Sequence, residues 1–255
     1  IMAKSCSVDP FSKPIDDELL KPARKLDLKK LKVAFSCDLG FAVMSSFYKR
    51  TFLSKLEKFA GLFASCDPGC MDLSKAYSTF MTLRSIGFLG DFGPMEMEFG
   101  AELGEVILKE LGLARKLSSE KIAQAFLDHS QIVRSGDEFF DHVDLLITPA
   151  SSVPPFKHES KYPSEIDGKH YEGYLDWEAI SWGITLTQCP AVVISCGKDE
   201  NDMPFGIQII AKQHKDAFLL DAAHSIETAF LGIEDLERPR PNLEKLAAIE
   251  ATTLN

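Results

Sequence analysis

Apolar and polar positions follow two different periods along this chain. From Leu31 to Ser36 the run LKVAFS is short and β-rich, and the turn-forming Cys37-Asp38-Leu39-Gly40 follows it. Such a run predicts a strand. Further on, Phe52, Leu53, Leu56, Phe59, Ala60 and Phe63 recur at helical spacing, and Lys49, Arg50, Lys55, Glu57 and Lys58 fill most of the other face. That pattern predicts an amphipathic helix, which Asp67-Pro68-Gly69 stops. A strand, a helix and a further strand predict one βαβ unit and a parallel sheet.

Residues 74–112 read as helical with breaks at Gly87, Gly90 and Gly93. Ser118-Ser119-Glu120 opens a long helix through a serine cap, with Ile122, Phe126, His129, Val133, Phe140 and Val143 along one face. Asp144-Leu145-Leu146-Ile147-Thr148-Pro149 is a buried strand ended by its proline. The segment from Ala150 to about Tyr174 is a long loop by composition, and loops of that length often line function. Two more buried strands, around Ala191–Ser195 and Ile207–Ala211, flank the charged turn Lys198–Met203. A last helix spans 215–230, with Phe218, Leu219, Ala222, Ala223, Ile226 and Phe230 on its apolar side. Residues 5–30, with Pro10, Pro14 and Pro22, read as an irregular lead-in, and the tail with Pro239 and Pro241 as weakly held. No repeat or internal linker divides the chain, so residues 1–255 are expected to form a single domain or the C-terminal portion of a larger one.

Composition narrows the class of function. The 255 residues are 45% hydrophobic and 26% charged, with a net charge of −10 and a pI near 5.1. A surface of that sign repels phosphate backbones, which argues against a nucleic-acid partner. The basic cluster Lys21–Lys32 is interrupted by acidic residues and reads as a solvated lead-in. The apolar runs are too short to cross a bilayer, so no membrane role is expected. The opening residues do not read as a signal peptide, and Ile1 stands ahead of Met2, so the expectation is a piece of a longer product. The six cysteines lie in or beside apolar segments without disulfide-framework spacing, as in a reducing cytoplasm. Cys66 and Cys70 could join Cys189 and Cys196 around zinc only with unusual spacing and no nearby histidine, so no metal is expected.

The residues alone offer no complete catalytic set. Cys37 and Cys196 each follow a strand, where α/β proteins place working groups, yet none of the six histidines can be assigned to them. Ser45-Ser46 and Ser118-Ser119 read as caps or turns, whereas Ser151-Ser152 sits on the loop after a core strand. No serine has the Gly-x-Ser-x-Gly frame, and no two glycines are adjacent. Asp137, Glu138 and Asp141 read as a solvated helix end, and His158 and His170 are too far apart for a helical metal pair.

One ordered set of motifs goes further. DLLITP at 144–149 is followed by Pro190-Ala191-Val192-Val193-Ile194-Ser195-Cys196-Gly197, then by Met203-Pro204-Phe205-Gly206-Ile207-Gln208 and a helix ending at Ile226-Glu227. Asp9-Pro10 and Leu28–Ser36 fit ahead of them. The order resembles the C-terminal half of the amidase signature family, which carries D-x-L-L-x-T-P, P-A-x-x-x-P-x-G and P-x-G-x-Q in that sequence. The resemblance implies an α/β fold with a mixed, largely parallel sheet covered by helices. It implies hydrolysis of carboxamides by a serine nucleophile, a bridging serine in a cis peptide and a neutral lysine base. Those residues belong to a Gly- and Ser-rich segment that these 255 residues do not hold, so the catalytic set is expected upstream. The implied partners are a small-molecule amide and the upstream half of the same protein; a homo-oligomer is left open, and no metal or organic cofactor is implied.

The sequence departs from the family at Thr185 and Gln188, where Asn and Gly are usual, and at Ser195, where proline is usual. It has no arginine matching the one that amidotransferases use on the substrate carboxylate, which favours an amidase over a glutamine-releasing enzyme. The substrate-facing residues expected from this half are Asp176, Trp177, Thr185, Thr187 and Gln188, with Ser151 and Ser152 as outsiders. Trp177 would be an apolar wall, and Asp176 and the hydroxyls would orient a polar group. Gln208 reads as a core glutamine that ties loops together. Two rivals stand beside this reading: a non-catalytic member that binds or assembles, and a cysteine hydrolase using Cys37 or Cys196. If upstream strands pair with Leu31–Ser36 or Ala191–Ser195, those strands are bare sheet edges here.

Overall fold

The computed structural model describes residues 17–247 apart from Ala101 and Glu172, together with Cys6, Val8 and Ser12. The expectations for Asp9, Pro10 and Pro14, and for the last eight residues of the tail, lie outside the described residues.

Five strands form one sheet in the order β2-β1-β3-β7-β6: β1 is Lys32–Phe35, β2 Ser65–Pro68, β3 Leu145–Pro149, β6 Ala191–Lys198 and β7 Pro204–Ile210. A separate hairpin, β4 (Glu165–Ile166) with β5 (Lys169–His170), projects from the long loop. The pairs β1–β2 and β1–β3 are parallel, and β7 runs antiparallel to both β3 and β6. Four of the five strands therefore point the same way, which gives the mixed, largely parallel sheet. The expected βαβ unit is β1, helix α1 (Ser46–Phe59) and β2 as immediate neighbours. The strand β2 contains Asp67 and Pro68, the residues read as a helix stop. Proline is tolerated there because β2 is an edge strand.

All five residues of β3 are buried, because helices cover both faces of the sheet. Side chains alternate between the two faces with period two. Val33, Leu145, Ile147, Ile207 and Ile209 point to the side of α1 and of α6 (Asp216–Phe230), where Phe52, Phe59, Ile226 and Phe230 meet them. Ala34, Leu146 and Ile210 point to the opposite side. There they meet Ile132 of α4 (Ser119–Phe139) and Ile180 and Trp182 of α5 (Ala179–Thr185). The result is a three-layer sandwich with two cores.

Three details differ from the sequence pattern. Helix α2 runs from Ala76 to Phe99 straight through Gly87, Gly90 and Gly93, and the chain turns only after Gly100, before α3 (Glu105–Ala114). Helix α4 has the expected cap, with Ser118 Oγ accepting from the Lys121 N–H at 3.2 Å. Its buried face is Ala125, Asp128, Ile132 and Gly136, one position away from the predicted stripe, and Phe126 is 57% exposed. The inward face holds a carboxylate, bonded to Lys75 Nζ at 2.7 Å, and a glycine, neither of which marks a buried stripe in sequence. Finally, Leu31–Ser36 is not a sheet edge, because β1 has β2 on one side and β3 on the other. The strand β6 is an edge, and Val193 on it is 58% exposed. A last short helix, α7, spans Leu243–Ala247.

Candidate active-site wall

The C-terminal end of β3 is where an α/β sheet offers room for a ligand. The Ala150 N–H donates to the Gly206 carbonyl at 3.0 Å, which prolongs the β3–β7 ladder by one rung, and the chain then leaves the sheet at Ser151. Two adjoining hollows open there. One, of 260 Å³, is walled by Tyr48, Val153, Pro154, Pro155 and Phe156; the other, of 450 Å³, by Glu178, Ser181, Trp182 and Thr185. Ala150, Ser151 and Trp177 belong to both.

The structure thus brings Ser151, Trp177 and Thr185 together. The Ser151 hydroxyl is engaged by its own turn, donating to the Val153 carbonyl at 2.9 Å and accepting from the Val153 N–H at 3.3 Å. The Trp177 ring stands edge-on to Phe156, with centroids 5.4 Å apart at 83°. Its Nε1 is buried without a hydrogen-bond partner among the described residues. Thr185 closes α5 with an exposed hydroxyl facing the larger hollow.

The other expected residues stand elsewhere. Asp176 Oδ1 accepts from the Tyr77 hydroxyl at 3.2 Å, which ties its loop to α2. Ser152 is fully buried beneath the loop, its Oγ unpartnered among the described residues and its carbonyl bonded to the Ser45 N–H at 2.9 Å. Thr187 is 1% exposed; its Oγ1 donates to the Ile184 carbonyl at 2.7 Å and accepts from the Cys189 N–H at 3.2 Å. Gln188 has a positive φ of 58° and accepts through Oε1 from Gln213 Nε2 at 2.8 Å. Thr187 and Gln188 lie at the opposite end of the sheet from Ser151. The turn before a strand sits at that strand's N-terminal end, and β6 runs in the direction of β3. Accordingly Ala191 is level with Ile210 and Leu146, at the start of β3.

Residues outside the sequence expectations complete the wall. Tyr48 arrives from the first turn of α1, and burial, with the Asp199 carboxylate adding to it, pushes its hydroxyl up to about 12. Burial also raises the Glu178 carboxyl, against the pull of Arg84. Phe156 follows two prolines, and an aromatic ring there is the one cue the loop offers.

Gln208 is a core glutamine, as read, but it ties a strand and a helix rather than loops. It is buried and its Nε2 donates to Thr148 Oγ1 at 3.3 Å and to the Ile180 carbonyl at 3.4 Å, linking β7 to β3 and α5.

A larger hollow of 830 Å³ lies away from this wall, between α1 and the turn joining β6 to β7. It is a charged joint, although the buried Asp199 Oδ2 in its lining has no hydrogen-bond partner among the described residues. Lys55 Nζ donates to the Asp235 carbonyl at 3.0 Å, Lys58 pairs with the Asp235 carboxylate, and Asp199 Oδ1 accepts from the N–H groups of Asn201 and Met203 at 2.9 and 3.0 Å. Burial lowers the Lys55 amine.

Neither Cys37 nor Cys196 sits in surroundings that favour a thiolate. Cys196 is fully buried, and burial pushes its thiol up to about 12 although Lys55 opposes the shift. Burial raises the Cys37 thiol as well. Burial of this kind disfavours the thiolate, which is the attacking form. Cys66 and Cys196 sit on strands at opposite edges of the sheet, so the two cysteine pairs cannot share a zinc ion. Among the described residues, no group of three His, Cys, Asp or Glu side chains could hold a metal, and no helix is long and apolar enough to cross a membrane.

The family model described as Amidase matches residues 92–220, just over half of the chain. The chain belongs to the amidase family. That match takes in α3, α4, the long loop, the β6–β7 pair and the hollows' back wall. An acylamidase from Rhodococcus erythropolis is 24% identical to this amidase-family chain over 230 residues, 89% of the chain and 48% of the relative. A glutamyl-tRNA(Gln) amidotransferase subunit from Halalkalibacterium halodurans is 26% identical over 243 residues, 85% and 48% respectively. Among solved structures, a bacterial aryl acylamidase of the amidase signature family superimposes with a TM-score of 0.72 at 16% identity, covering 87% of this chain and 48% of that one. The chain spans about half the length of these curated relatives.

Proposed function

We propose that this chain forms the supporting wall of an amide-hydrolysing site. The carrying observation is the convergence of Ser151, Trp177 and Thr185 at the end of β3, in hollows lined by aromatic rings and hydroxyls. The described lining holds no lysine or histidine to activate a nucleophile. In this reading the serine nucleophile, the bridging serine and the lysine base come from sequence beyond these 255 residues. The serine oxygen attacks the carboxamide carbon, ammonia or an amine leaves with a proton, and water then releases the acid. Backbone N–H groups hold the oxyanion. The task of this chain is to seat the uncharged amide: Trp177 and Phe156 supply apolar surface, and Thr185 supplies a hydroxyl.

The same reading assigns the bare edge of β6. Val193 is 58% exposed on that edge, and Leu220 of α6 is 44% exposed beside it. We assign this strip to the rest of the same protein, which would continue the sheet.

The test is amide hydrolysis by the gene product that carries this chain, with simple aliphatic and aryl amides. Trp177→Ala in that product is expected to lower kcat/KM about tenfold, the loss of one well-packed aromatic contact of roughly 1.4 kcal/mol. Unchanged kcat/KM would remove Trp177 from the substrate wall. Activity that disappears with Cys196→Ser would replace the serine reading with a cysteine one.

A further inference from the structure

The loop that walls the smaller hollow leaves the sheet at Ser151 and returns through the β4–β5 hairpin. Its two feet stand on consecutive residues at the start of α1. At the near foot the Ser45 N–H donates to the Ser152 carbonyl at 2.9 Å. At the far foot both the N–H and the hydroxyl of Ser46 donate to Asp167 Oδ2, at 2.7 and 2.6 Å. Residues 152–167 are thus closed into an Ω-type loop, a compact excursion whose ends are held together. The near foot is a main-chain bond beside the buried Ser152 and Val153. The far foot is one carboxylate at the tip of a hairpin with only two residues in each strand.

Asp167 and Gly168 form that tip with φ of 50° and 77°, the backbone a two-residue hairpin turn requires. The adjacent Ile166 is 5% exposed and packs inward, while Asp167 turns to Ser46. Ser45, the residue at the N-cap of α1, makes no side-chain cap bond. The carboxylate that serves the first turn of α1 therefore arrives from 121 residues away. Between the feet lie Pro154, Pro155 and Phe156, which wall the hollow, and Phe156 is the ring set against Trp177. Tyr48, on the opposite wall, stands two residues beyond Ser46.

We propose that Asp167 is a positioning residue: by pinning the loop to Ser46 it holds Pro154, Pro155 and Phe156 against Trp177 and sets the width of the hollow. Its role in catalysis rests on the amide-hydrolysis reading above; its role in holding the loop does not. Without the Asp167 bond the far end of the loop is held by the buried Ile166 and the small hairpin, with less to offset the ordering of some fifteen residues. Asp167 touches no substrate and acts only through the loop.

The loop carries its own reporter, since Lys157 and Lys161 are exposed and lie between the feet. Trypsin cleavage at these lysines in the native gene product follows the open population of the loop. Asp167→Gly keeps the positive-φ turn and removes the carboxylate. It is expected to speed cleavage at Lys157 and Lys161 about tenfold, while cleavage elsewhere stays at the wild-type rate. Asp167→Asn keeps the turn and an acceptor and is expected to stay within about threefold of wild type, and Ser46→Ala to fall between. Unchanged cleavage in Asp167→Gly overturns the proposal. So does an equal rise at every lysine in all the variants, which would make Asp167 a support of the whole fold.

With an aryl amide such as 4-nitroacetanilide, Asp167→Gly is expected to raise KM severalfold while kcat stays within about twofold. A faster-cut loop with unchanged KM overturns the link to the hollow. If the unaltered product hydrolyses no amide, the reading of function falls, and the cleavage rates still decide whether Asp167 holds the loop.

Discussion

Gly197 shows how a single position is fixed by its neighbours. A Cβ added there would lie 1.8 Å from the Asp235 carbonyl oxygen and 3.1 Å from Lys55 Nζ, and φ is +71°. Backbone cannot yield as a flexible side chain does, and the left-handed conformation adds strain. Gly197→Ala is expected to cost more than about 2 kcal/mol, read as a lower urea midpoint. A wild-type midpoint would show that the Asp235 strap is loose. At this scale the sequence is readable where the period alone sets direction. Gln208 lies between Ile207 and Ile209, so it has to point away from them, and it does. Thr187 and Gln188 fall outside the wall because their position depends on which way β6 runs, and a strand's direction is not written in its own residues. Asp167-Gly168 carries a hairpin-turn signal beside Ile166, but its bond to Ser46 spans 121 residues and no local pattern encodes it.

At the scale of elements, α2 and β6 differ most from their sequence appearance. Gly87 and Gly90 are exposed inside α2, and a Cβ at either would meet nothing within 4 Å. Packing does not require them, so each lowers helix stability through backbone freedom alone. Gly87→Ala and Gly90→Ala are expected to raise stability by roughly 0.5–1 kcal/mol each in denaturant melts. A loss at either position would mean that α2 depends on that glycine. The strand β6 looks like a core strand because its residues are apolar, yet it is an edge, and one of its faces is covered only in part. Periodicity reports how many sides of a strand are apolar; it does not report whether the strand's hydrogen-bonding edge is paired. The β1–α1–β2 unit is legible because it is local, whereas the antiparallel placement of β7 between β3 and β6 depends on long-range pairing. On the proposed assignment of the β6 edge, Val193→Lys is expected to leave the melting temperature of this chain nearly unchanged and to weaken the association proposed for that edge. Equal association of the two forms would show that the β6 edge is not the joint.

Taken whole, the molecule is a three-layer sandwich whose buried Cys196 and half-buried Cys66 and Cys70 tie its stability to pH. Burial pushes Cys70 and Cys196 up to about 12 and Cys66 up to about 11, from an ordinary value of 9.0. Above about pH 9 the unfolded chain releases these thiol protons while the folded chain keeps them. The folded state then binds more protons, so stability falls as pH rises. The contribution is complete below pH 9 and is lost progressively toward pH 12. Melting temperatures are expected to decline steadily from about pH 9 upward; a flat profile to about pH 11 would place these cysteines in wetter surroundings than the structure gives them.

The most direct measurement concerns the proposed role of this chain as a wall without its own nucleophile. The 255-residue chain, purified and shown to be folded by hydrogen exchange, is incubated with 4-nitroacetanilide and release of 4-nitroaniline is followed. A wall without its own nucleophile predicts no release above the uncatalysed rate, whether or not Cys37 and Cys196 are replaced by serine. Catalytic turnover by the chain alone would contradict it.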